Sequence, residues 1–249
     1  MLKRLYIICT ITLLSVGAVW GKNFSNESLN YQIVYHWGLI WKHAANAKLE
    51  IKDGKAGQYE ARLYARTLSW VDKVYKVRDT LYSTIEKDRL IPLKYIKATH
   101  EKGHEGRDIV EFSMNGNVTS GHCVRIRPGK ADFTIDLETE GNAYDMLSVF
   151  YMLRTIDMKK LKADGSMSTT VFSGKRKERL DIKYVGEENV KLRDESRHNA
   201  YHIKFCFTEE GKTKSSDDID TWISKDEARI PLMLRGNLPI GEVCVYYEK

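Results

Sequence analysis

Apolar and polar residues alternate along most of this chain from residue 31 onward, and this pattern constrains the fold more than any other feature. In the segment 59–66, the odd positions are apolar and the even positions are mostly charged. A period of two predicts strands that turn one face toward a core and the other toward solvent. The same alternation recurs at 31–37, 47–51, 110–114, 133–137, 180–184, 201–207, 230–234 and 243–247.

Short polar turns separate the predicted strands, as in an antiparallel meander. Several of these turns contain glycine, including "DGKAG" at 53–57 and "RPGK" at 127–130. Such connections have no room for a crossover helix, so βαβ units are not predicted. We expect a mainly β fold with about 11 to 13 strands in one curved antiparallel sheet or open half-barrel, because a long sheet curls to protect its edges.

One segment departs from the alternation and predicts a single central α-helix over about residues 142–157. In "YDMLSVFYMLRTIDM" (144–158), apolar residues cover more than half of the helical circumference, and Asn142 is placed to cap the start. Such a helix needs cover on most of its surface, which the concave side of a curled sheet provides. Two interpretations stay open: the helix fills the barrel as core, or it covers a cavity that holds an apolar ligand.

The start of the chain has the composition of a signal peptide. Basic residues at 3–4 precede an apolar stretch at 5–16, and the small residues expected before a cleavage site end at Gly21. The apolar stretch is shorter than the roughly 20 residues that a membrane-spanning helix needs. We therefore expect a signal peptide at 1–21, cleavage after about Gly21, and export to the periplasm or cell envelope. The remaining chain, 22–249, is expected to lack a transmembrane segment.

The helical segment also carries a family signature. "YDMLSVFYMLR" at 144–154 resembles the pattern D-x-L-S-x-x-Y-x-x-R of the bacterial exported family DUF3108, a domain of unknown function. "TWISKDEARIPLMLRGNLPIGEV" at 221–243 resembles its second signature, and 31–51 is similar to its first two strands. The resemblance implies a single domain over 22–249, similar in fold to the half-barrels of periplasmic lipoprotein carriers. It implies no activity and no disulfide, and its motif positions are Asp145, Leu147, Ser148, Tyr151, Arg154, Trp222, Asp226, Arg229 and Pro231.

Five residues are candidate contacts for an apolar ligand with a polar head group. Leu147 and Tyr151 lie on the predicted helix, whereas Trp37 and Trp41 flank a strand end, where they fit either rim packing or a gate of amphipathic rings. Arg154 is costly to bury unpaired, so one interpretation is an ion pair with Asp145 or with a strand carboxylate. The other is a head-group contact, for which the planar guanidinium is suited.

Motifs that suggest an enzyme lack the context that catalysis requires. "HEKGHE" at 100–105 contains the H-E-x-x-H spacing of helical zinc sites. Here the flanking segments alternate as strands and Gly103 lies inside the motif, so we predict a hairpin turn and no metal site. The sequence contains no nucleophile elbow and no phosphate loop. We therefore predict no catalytic residue and no cofactor, and a hydrolase with an unrecognised site is the third interpretation.

The sequence thus predicts an exported, non-catalytic protein that binds a lipid or an acylated molecule between sheet and helix. The alternative is a structural or partner-binding envelope protein with a filled core. A net charge of +6 is mild for a chain of 249 residues and, with export, argues against a nucleic-acid partner. Two of Cys123, Cys206 and Cys244 could pair in an oxidising compartment, and the sequence does not choose between the pairs.

Overall fold

Fifteen strands make up most of the computed structural model, which describes residues 22–249. The alternating segments form these strands because a period of two places the apolar side chains on one face. The strands are β1 Glu27–Trp37, β2 Ile40–Asp53, β3 Gln58–Thr67, β4 Arg78–Glu86, β5 Pro92–Glu101, β6 His104–Asn115, β7 Val118–Ile126, β8 Phe133–Glu140, β9 Ala143–Tyr144, β10 Ser166–Phe172, β11 Lys177–Lys191, β12 Arg197–Glu209, β13 Ile219–Ser224, β14 Pro231–Asn237 and β15 Glu242–Glu248.

Three short helices accompany the strands: α1 Ser69–Asp72, α2 Ser148–Leu153 and α3 Met158–Asp164. Over residues 22–249, no helix is long and apolar enough to cross a membrane. The predicted signal peptide at 1–21 lies outside the described residues.

All fifteen strands belong to one sheet, in which most strands pair with their neighbours in the chain. Two antiparallel meanders, β1–β8 and β10–β15, are joined by an antiparallel ladder between β1 and β15, where Tyr31 pairs with Tyr247. The sheet ends at β8 and at β9, a two-residue strand that runs parallel to β10. Because β8 and β9 follow each other in the chain, the sheet curls into a nearly closed barrel.

Side chains bridge the seam between β8 and β10. The hydroxyl oxygens of Thr139 and Thr170 lie 3.3 Å apart, and the ring of Phe172 stacks on that of Phe112 at 5.7 Å. Gly121 leaves the space that Phe172 fills, since a Cβ at Gly121 would lie 2.7 Å from the ring. Packing, rather than a ladder, therefore covers these strand edges.

The mainly β class is confirmed, but the predicted number of strands was too low and the predicted half-barrel is nearly closed. The prediction missed segments in which apolar and polar residues alternate weakly. In β7, for example, Gly121 occupies an inward position and His122 an outward one. Closure follows from the same physical need that predicted curvature: an open sheet exposes unpaired backbone groups on two edges.

The prediction of one central helix over 142–157 was wrong, because that segment contains β9 and the short helix α2, and a separate helix, α3, begins just after it at Met158. Asn142 does not begin the helix. The carboxylate of Asp145 accepts the N–H groups of Leu147 and Ser148, and α2 starts at Ser148, four residues after β9 ends at Tyr144. The carboxylate of Asp157 accepts two N–H groups in the same way and begins α3. Two competing caps therefore cut an apolar pattern that periodicity alone reads as continuous.

Two clusters of buried apolar side chains fill the interior, and α2 contributes to both. Its Leu147 and Tyr151 join the β1–β4 side of the core, and its Val149, Met152 and Leu153 join the β10–β13 side. The first cluster also contains Phe24, Leu29, Tyr31, Leu49, Ile51, Tyr59, Ala61, Ile85 and Leu90. The helix therefore lies within the barrel and connects its two meanders.

Strand connections lie at two opposite ends of the barrel, because successive strands are antiparallel. We call the end with the connections 53–58, 86–92 and 224–231 the signature end. We call the end with 37–40, 67–77, 101–104 and 237–242 the hairpin end. Strand β1 runs from Glu27 at the signature end to Trp37 at the hairpin end. This rise of ten residues separates the two ends by about 33 Å.

Candidate functional site

The first signature forms a buried cap at the start of α2. One carboxylate oxygen of Asp145 accepts the N–H groups of Leu147 at 2.6 Å and Ser148 at 2.8 Å, and the other accepts the hydroxyl of Ser83 at 2.5 Å. The Ser148 hydroxyl accepts the N–H of Asp145 in return, at 2.8 Å. Burial raises the pKa of Asp145 to about 6, although these hydrogen bonds oppose the shift. The cap therefore fixes the helix on strand β4.

Arg154, which follows α2, forms a buried ion pair with a strand carboxylate. Its two terminal nitrogens lie 2.5 and 2.7 Å from the two carboxylate oxygens of Glu27. Its guanidinium also donates to the carbonyl of Ala228 at 2.8 Å and to that of Arg229 at 3.1 Å. Four of the five guanidinium donors are thus used, and the side chain is 0% exposed. The ion-pair interpretation describes this geometry, with Glu27 rather than Asp145 as the partner.

The second signature builds the turn that supplies these carbonyls. Asp226 accepts the hydroxyl of Ser224 at 2.7 Å and the N–H of Arg229 at 3.1 Å. Arg229 itself adopts a left-handed backbone with φ of 48°, and Pro231 starts β14. The tight turn points the carbonyls of Ala228 and Arg229 at Arg154. The two sequence signatures therefore meet in space, where they hold one guanidinium.

A second group of cations surrounds the same pair. Lys22 donates to the carbonyl of Ala228, and its pKa is lowered to about 8 by burial and by the nearby Arg154. The guanidinium of Arg229 lies 4.6 Å from the ring centre of Tyr201. Glu27 is the acid in contact with Arg154 and Asp226 is also close to Lys22, so three cations and two carboxylates meet here.

The apolar residues of α2 are packed against protein. Leu147 and Tyr151 are both buried, and the Tyr151 ring lies 5.0 Å from that of Phe24 in an edge-on contact. The hydroxyls of Tyr151 and Tyr31 have no hydrogen-bond partner among the described residues. Burial raises the pKa of each hydroxyl well above its usual range. Both tyrosines are therefore neutral groups of the core.

Trp37 and Trp41 lie far from the other three candidate ligand contacts. They are exposed on the β1–β2 hairpin at the hairpin end, where the ring of Trp41 stacks on His36 at 3.7 Å. Leu147, Tyr151 and Arg154 lie inside the barrel near the signature end. The five residues thus form two separate groups, and they do not line one cavity.

Trp222 lies on the outer face of the sheet, in a cluster that the sequence did not predict. Its indole N–H donates to Glu188 at 2.9 Å, and its ring stacks on His202 at 4.4 Å. The two nitrogens of His202 lie 2.7 Å from Glu188 and 2.6 Å from Asp220. His202 lies on the outer face of the sheet, yet it is buried. The sequence did not reveal this cluster, because Glu188 and Asp220, the two acids that bind His202, are far apart in sequence.

Another unpredicted polar cluster lines the mouth of the barrel at the hairpin end. Asp108 is largely buried between Arg125 and Arg127, with nitrogen–oxygen distances of 3.1 and 2.7 Å. Gly174 leaves room for the Asp108 carboxylate, since a Cβ there would lie 2.7 Å from it. The cavity beside the cluster has a volume of about 300 Å³ and is also lined by Lys97, Lys175 and Arg176.

Two larger clefts lie on the outside of the sheet or at its seam. A groove of about 420 Å³ on β1–β5 is lined by charged residues that include Glu50, Glu60 and Arg62. A cleft of about 460 Å³ at the seam is lined by Tyr144, Met152 and Met167, among others. The seam cleft reaches Met152 of α2, and the groove on β1–β5 reaches Glu27 and Ser83, which bind Arg154 and Asp145.

The H-E-x-x-H motif lies on a hairpin, with His100 on β5 and His104 at the start of β6. Its histidines do not stack as they would on a helix. Within residues 22–249, no group of three or more His, Cys, Asp or Glu side chains is arranged to hold a metal. Cys123, Cys206 and Cys244 are buried and are not joined to one another.

Comparison with known proteins identifies the family. The sequence profile described as "Protein of unknown function (DUF3108)" matches residues 30–247. The chain belongs to the DUF3108 family. The fold of this DUF3108 protein is similar to that in the crystal structure of a β-barrel-like protein of domain of unknown function DUF1849 from Brucella abortus. The TM-score is 0.61 and the sequence identity is 11%, and the match covers 91% of this chain and 97% of that one. No curated protein matches the sequence. The structural neighbour supports the barrel-like fold of this DUF3108 protein and nothing about its activity.

Proposed function

We propose that this DUF3108 protein is a non-catalytic protein of the periplasm or cell envelope, with a filled interior, that binds a partner through its surface. The signal-like composition of residues 1–21 supports the location. The packing of α2 supports the filled interior, which was the alternative to a carrier in the sequence interpretation. The carrier would need a connected apolar cavity of about 300–1,000 Å³ between helix and sheet.

The observation that carries the proposal is the saturation of the residues expected to hold a ligand. Leu147 and Tyr151 are buried against strand side chains. The guanidinium of Arg154 donates two hydrogen bonds to Glu27 and two to backbone carbonyls. The head group of a ligand would therefore have to displace a bidentate carboxylate. Such a charge-assisted pair is among the strong hydrogen-bonding arrangements in proteins. These contacts favour an internal support for the sheet over a ligand site.

Native mass spectrometry of protein purified from the cell envelope, followed by solvent extraction, tests the filled interior. We expect the mass of the unliganded chain and no uptake after incubation with phospholipids or acylated peptides. A co-purifying lipid of defined mass would contradict the proposal. Leu147→Arg should then abolish lipid uptake, whereas Val185→Arg, a matched change at an exposed position outside the hairpin end, should leave it unchanged.

A second candidate function, carriage of an apolar ligand, is favoured by the seam cleft. Tyr144 and Met152 beside α2 and Met167 on β10 line this space of about 460 Å³. A ligand here would enter between β8 and β10, where packing replaces a ladder. If lipid uptake is found, Met167→Trp should reduce it by filling the cleft, and Val185→Trp should not. Uptake that is insensitive to Met167→Trp would exclude the seam cleft.

A further inference from the structure

Exposed apolar side chains are concentrated at the hairpin end. Of the twelve large apolar side chains that are exposed in residues 22–249, ten lie on or beside connections at this end. Met167 and Val185 are the two that lie elsewhere. Single exposed apolar residues need no explanation, but a concentrated set indicates an interaction surface. The ten are Trp37, Leu39, Ile40, Trp41, Val74, Tyr75, Ile126, Phe133, Leu238 and Ile240.

Two neighbouring hairpin tips carry six of these side chains on one continuous surface. The β1–β2 and β14–β15 hairpins are adjacent because β1 pairs with β15. The Tyr35 hydroxyl donates to the carbonyl of Ile240 at 2.9 Å, and His36 lies 3.0 Å from Glu242. Leu39 is 99% exposed at the first tip. We call this surface the tip patch: Trp37, Leu39, Ile40, Trp41, Leu238 and Ile240.

The segment that follows β3 lies beside the tip patch. The indole N–H of Trp70 donates to the carbonyl of His43 at 2.9 Å, which holds α1 against β2. The ammonium of Lys42 lies 3.9 Å from the ring centre of Trp70. Val74 and Tyr75, just after α1, are exposed and extend the apolar surface. The patch therefore continues from the hairpin tips onto the 69–77 segment.

Lysines lie on one side of the patch, where the nearby acids are held by specific partners. Asp72 pairs with Arg78 at 2.5 Å, Glu101 accepts the hydroxyl of Tyr75 at 2.7 Å, and Glu242 is bound to His36. The exposed cations beside the patch are Lys42, Lys73, Lys76 and Lys102. The described residues therefore present apolar tips with lysines on the β2–β6 side, whereas the β12–β13 connection on the other side carries Lys212 and Lys214 together with Asp217 and Asp218.

We propose that the tip patch docks this protein on an anionic lipid bilayer. Leu39 and Ile240 enter the interface, Trp37 and Trp41 lie at the level of the head groups, and the lysines contact lipid phosphates. Apolar and aromatic side chains that protrude from turns beside several lysines suit the interface of an anionic bilayer. This inference goes beyond the proposed function, since it holds whether the interior is filled or loaded.

Vesicle co-sedimentation of the purified protein tests the docking of the tips. The protein should sediment with mixed phosphatidylcholine–phosphatidylglycerol vesicles and much less with phosphatidylcholine vesicles. Leu39→Glu combined with Ile240→Glu should lower the partition coefficient at least about tenfold, because two buried apolar side chains are lost to water. Val185→Glu, at an exposed site away from both the hairpin end and the seam cleft, makes the same kind of change and should keep the wild-type value.

The lysines are tested separately with the same assay. Lys42→Gln and Lys73→Gln should each weaken binding about fivefold, and added salt should weaken it further. Lys55→Gln, on an exposed turn at the signature end, should have no effect. Absence of sedimentation with either vesicle, or equal binding by the tip variant and the wild type, would overturn the proposal. Tip-dependent self-association without vesicle binding would overturn it in favour of a second copy of the chain.

Discussion

The two ends of the barrel place opposite kinds of side chain in unfavourable surroundings. At the signature end, the guanidinium of Arg154 is withdrawn from water, whereas at the hairpin end Leu39 and its neighbours protrude into it. Arg154 finds its partners within the chain, on β1 and on the β13–β14 turn. Among the described residues of the tip patch, Trp41 stacks on His36, but Leu39 is 99% exposed. The difference indicates that the signature residues serve the fold, and that the hairpin end is where an external partner is expected.

Removing the carboxylate from the buried pair should have the largest effect on stability. Glu27→Ala leaves Arg154 charged and unpaired in the core, which should lower the free energy of unfolding by about 3–5 kcal/mol. Glu50→Ala is the control, because Glu50 pairs with Lys48 on the surface and should cost only about 0–1 kcal/mol. Urea denaturation measures both changes. Equal costs for the two variants would show that the pair is not isolated from water.

The same substitution, leucine to alanine, can be made at each end of the barrel to compare their contributions to stability. Leu147→Ala leaves a cavity under α2 and should lower the free energy of unfolding by about 2–5 kcal/mol. Leu39→Ala removes the same atoms from a side chain already in water and should change it by less than about 0.5 kcal/mol. Denaturation midpoints with unchanged slopes would establish both values. A small effect at Leu147 would mean that the interior is loosely packed, as a carrier requires.

The cap of α2 should give the signature end a distinctive pH dependence. Burial raises the pKa of Asp145 to about 6, above the value of about 3.9 in an unfolded chain. The folded protein thus binds this proton more tightly, and the stabilisation is full below about pH 4 and is lost as the pH rises through 6. The change is on the order of 2–3 kcal/mol.

Asp145→Asn should remove that dependence while leaving a side chain that can still cap the helix. The difference in unfolding free energy between the variant and the wild type, followed from pH 4 to 7, isolates the contribution of this residue. Asp157→Asn, at the exposed cap of α3, should retain the wild-type slope. A wild-type slope in Asp145→Asn would assign the pH dependence to another group.

The smallest effect should come from the unpartnered hydroxyl beside Arg154. Tyr151→Phe removes a buried group that has no partner among the described residues, so stability should be unchanged or rise by up to about 1 kcal/mol. Tyr59→Phe should instead lose stability, because its hydroxyl bonds to Asn23 and accepts the N–H of Phe24. Thermal unfolding compares the two. A clear loss in Tyr151→Phe would indicate that a water or a polar ligand satisfies the hydroxyl, which would favour the carrier.

Much of the fold could be predicted from local pattern, and the site could be predicted only in part. Alternation in segments such as 59–66 gave the antiparallel meander, because side-chain direction is decided within each strand. Closure was missed because it depends on Phe112 and Phe172, which are distant in sequence. The helix was predicted too long because Asp145 binds the N–H groups at the start of α2, and Asp157, at the end of the predicted helix, begins the separate helix α3. The spacing of apolar residues does not show which carboxylates cap a helix by accepting its backbone N–H groups.

The signature residues were recognised, but their arrangement was not. Arg154 was expected to pair with Asp145 or a strand carboxylate, and Glu27 carries no sequence mark that singles it out. The three components of this contact come from β1, from the end of α2 and from the β13–β14 turn. The cluster of Glu188, His202 and Asp220 was missed for the same reason. Contacts that require register between distant strands cannot be read from spacing.

The ladder between β1 and β15 has a consequence for how the chain folds. Strands within each meander pair with sequence neighbours, so these hairpins can form early from local contacts. Glu27 belongs to the first meander and Ala228 to the second, and both bind Arg154. The buried pair is therefore completed only when the long-range ladder closes, late in folding. Loss of Glu27 should then accelerate unfolding more than it slows folding. The pair therefore slows the separation of the two meanders.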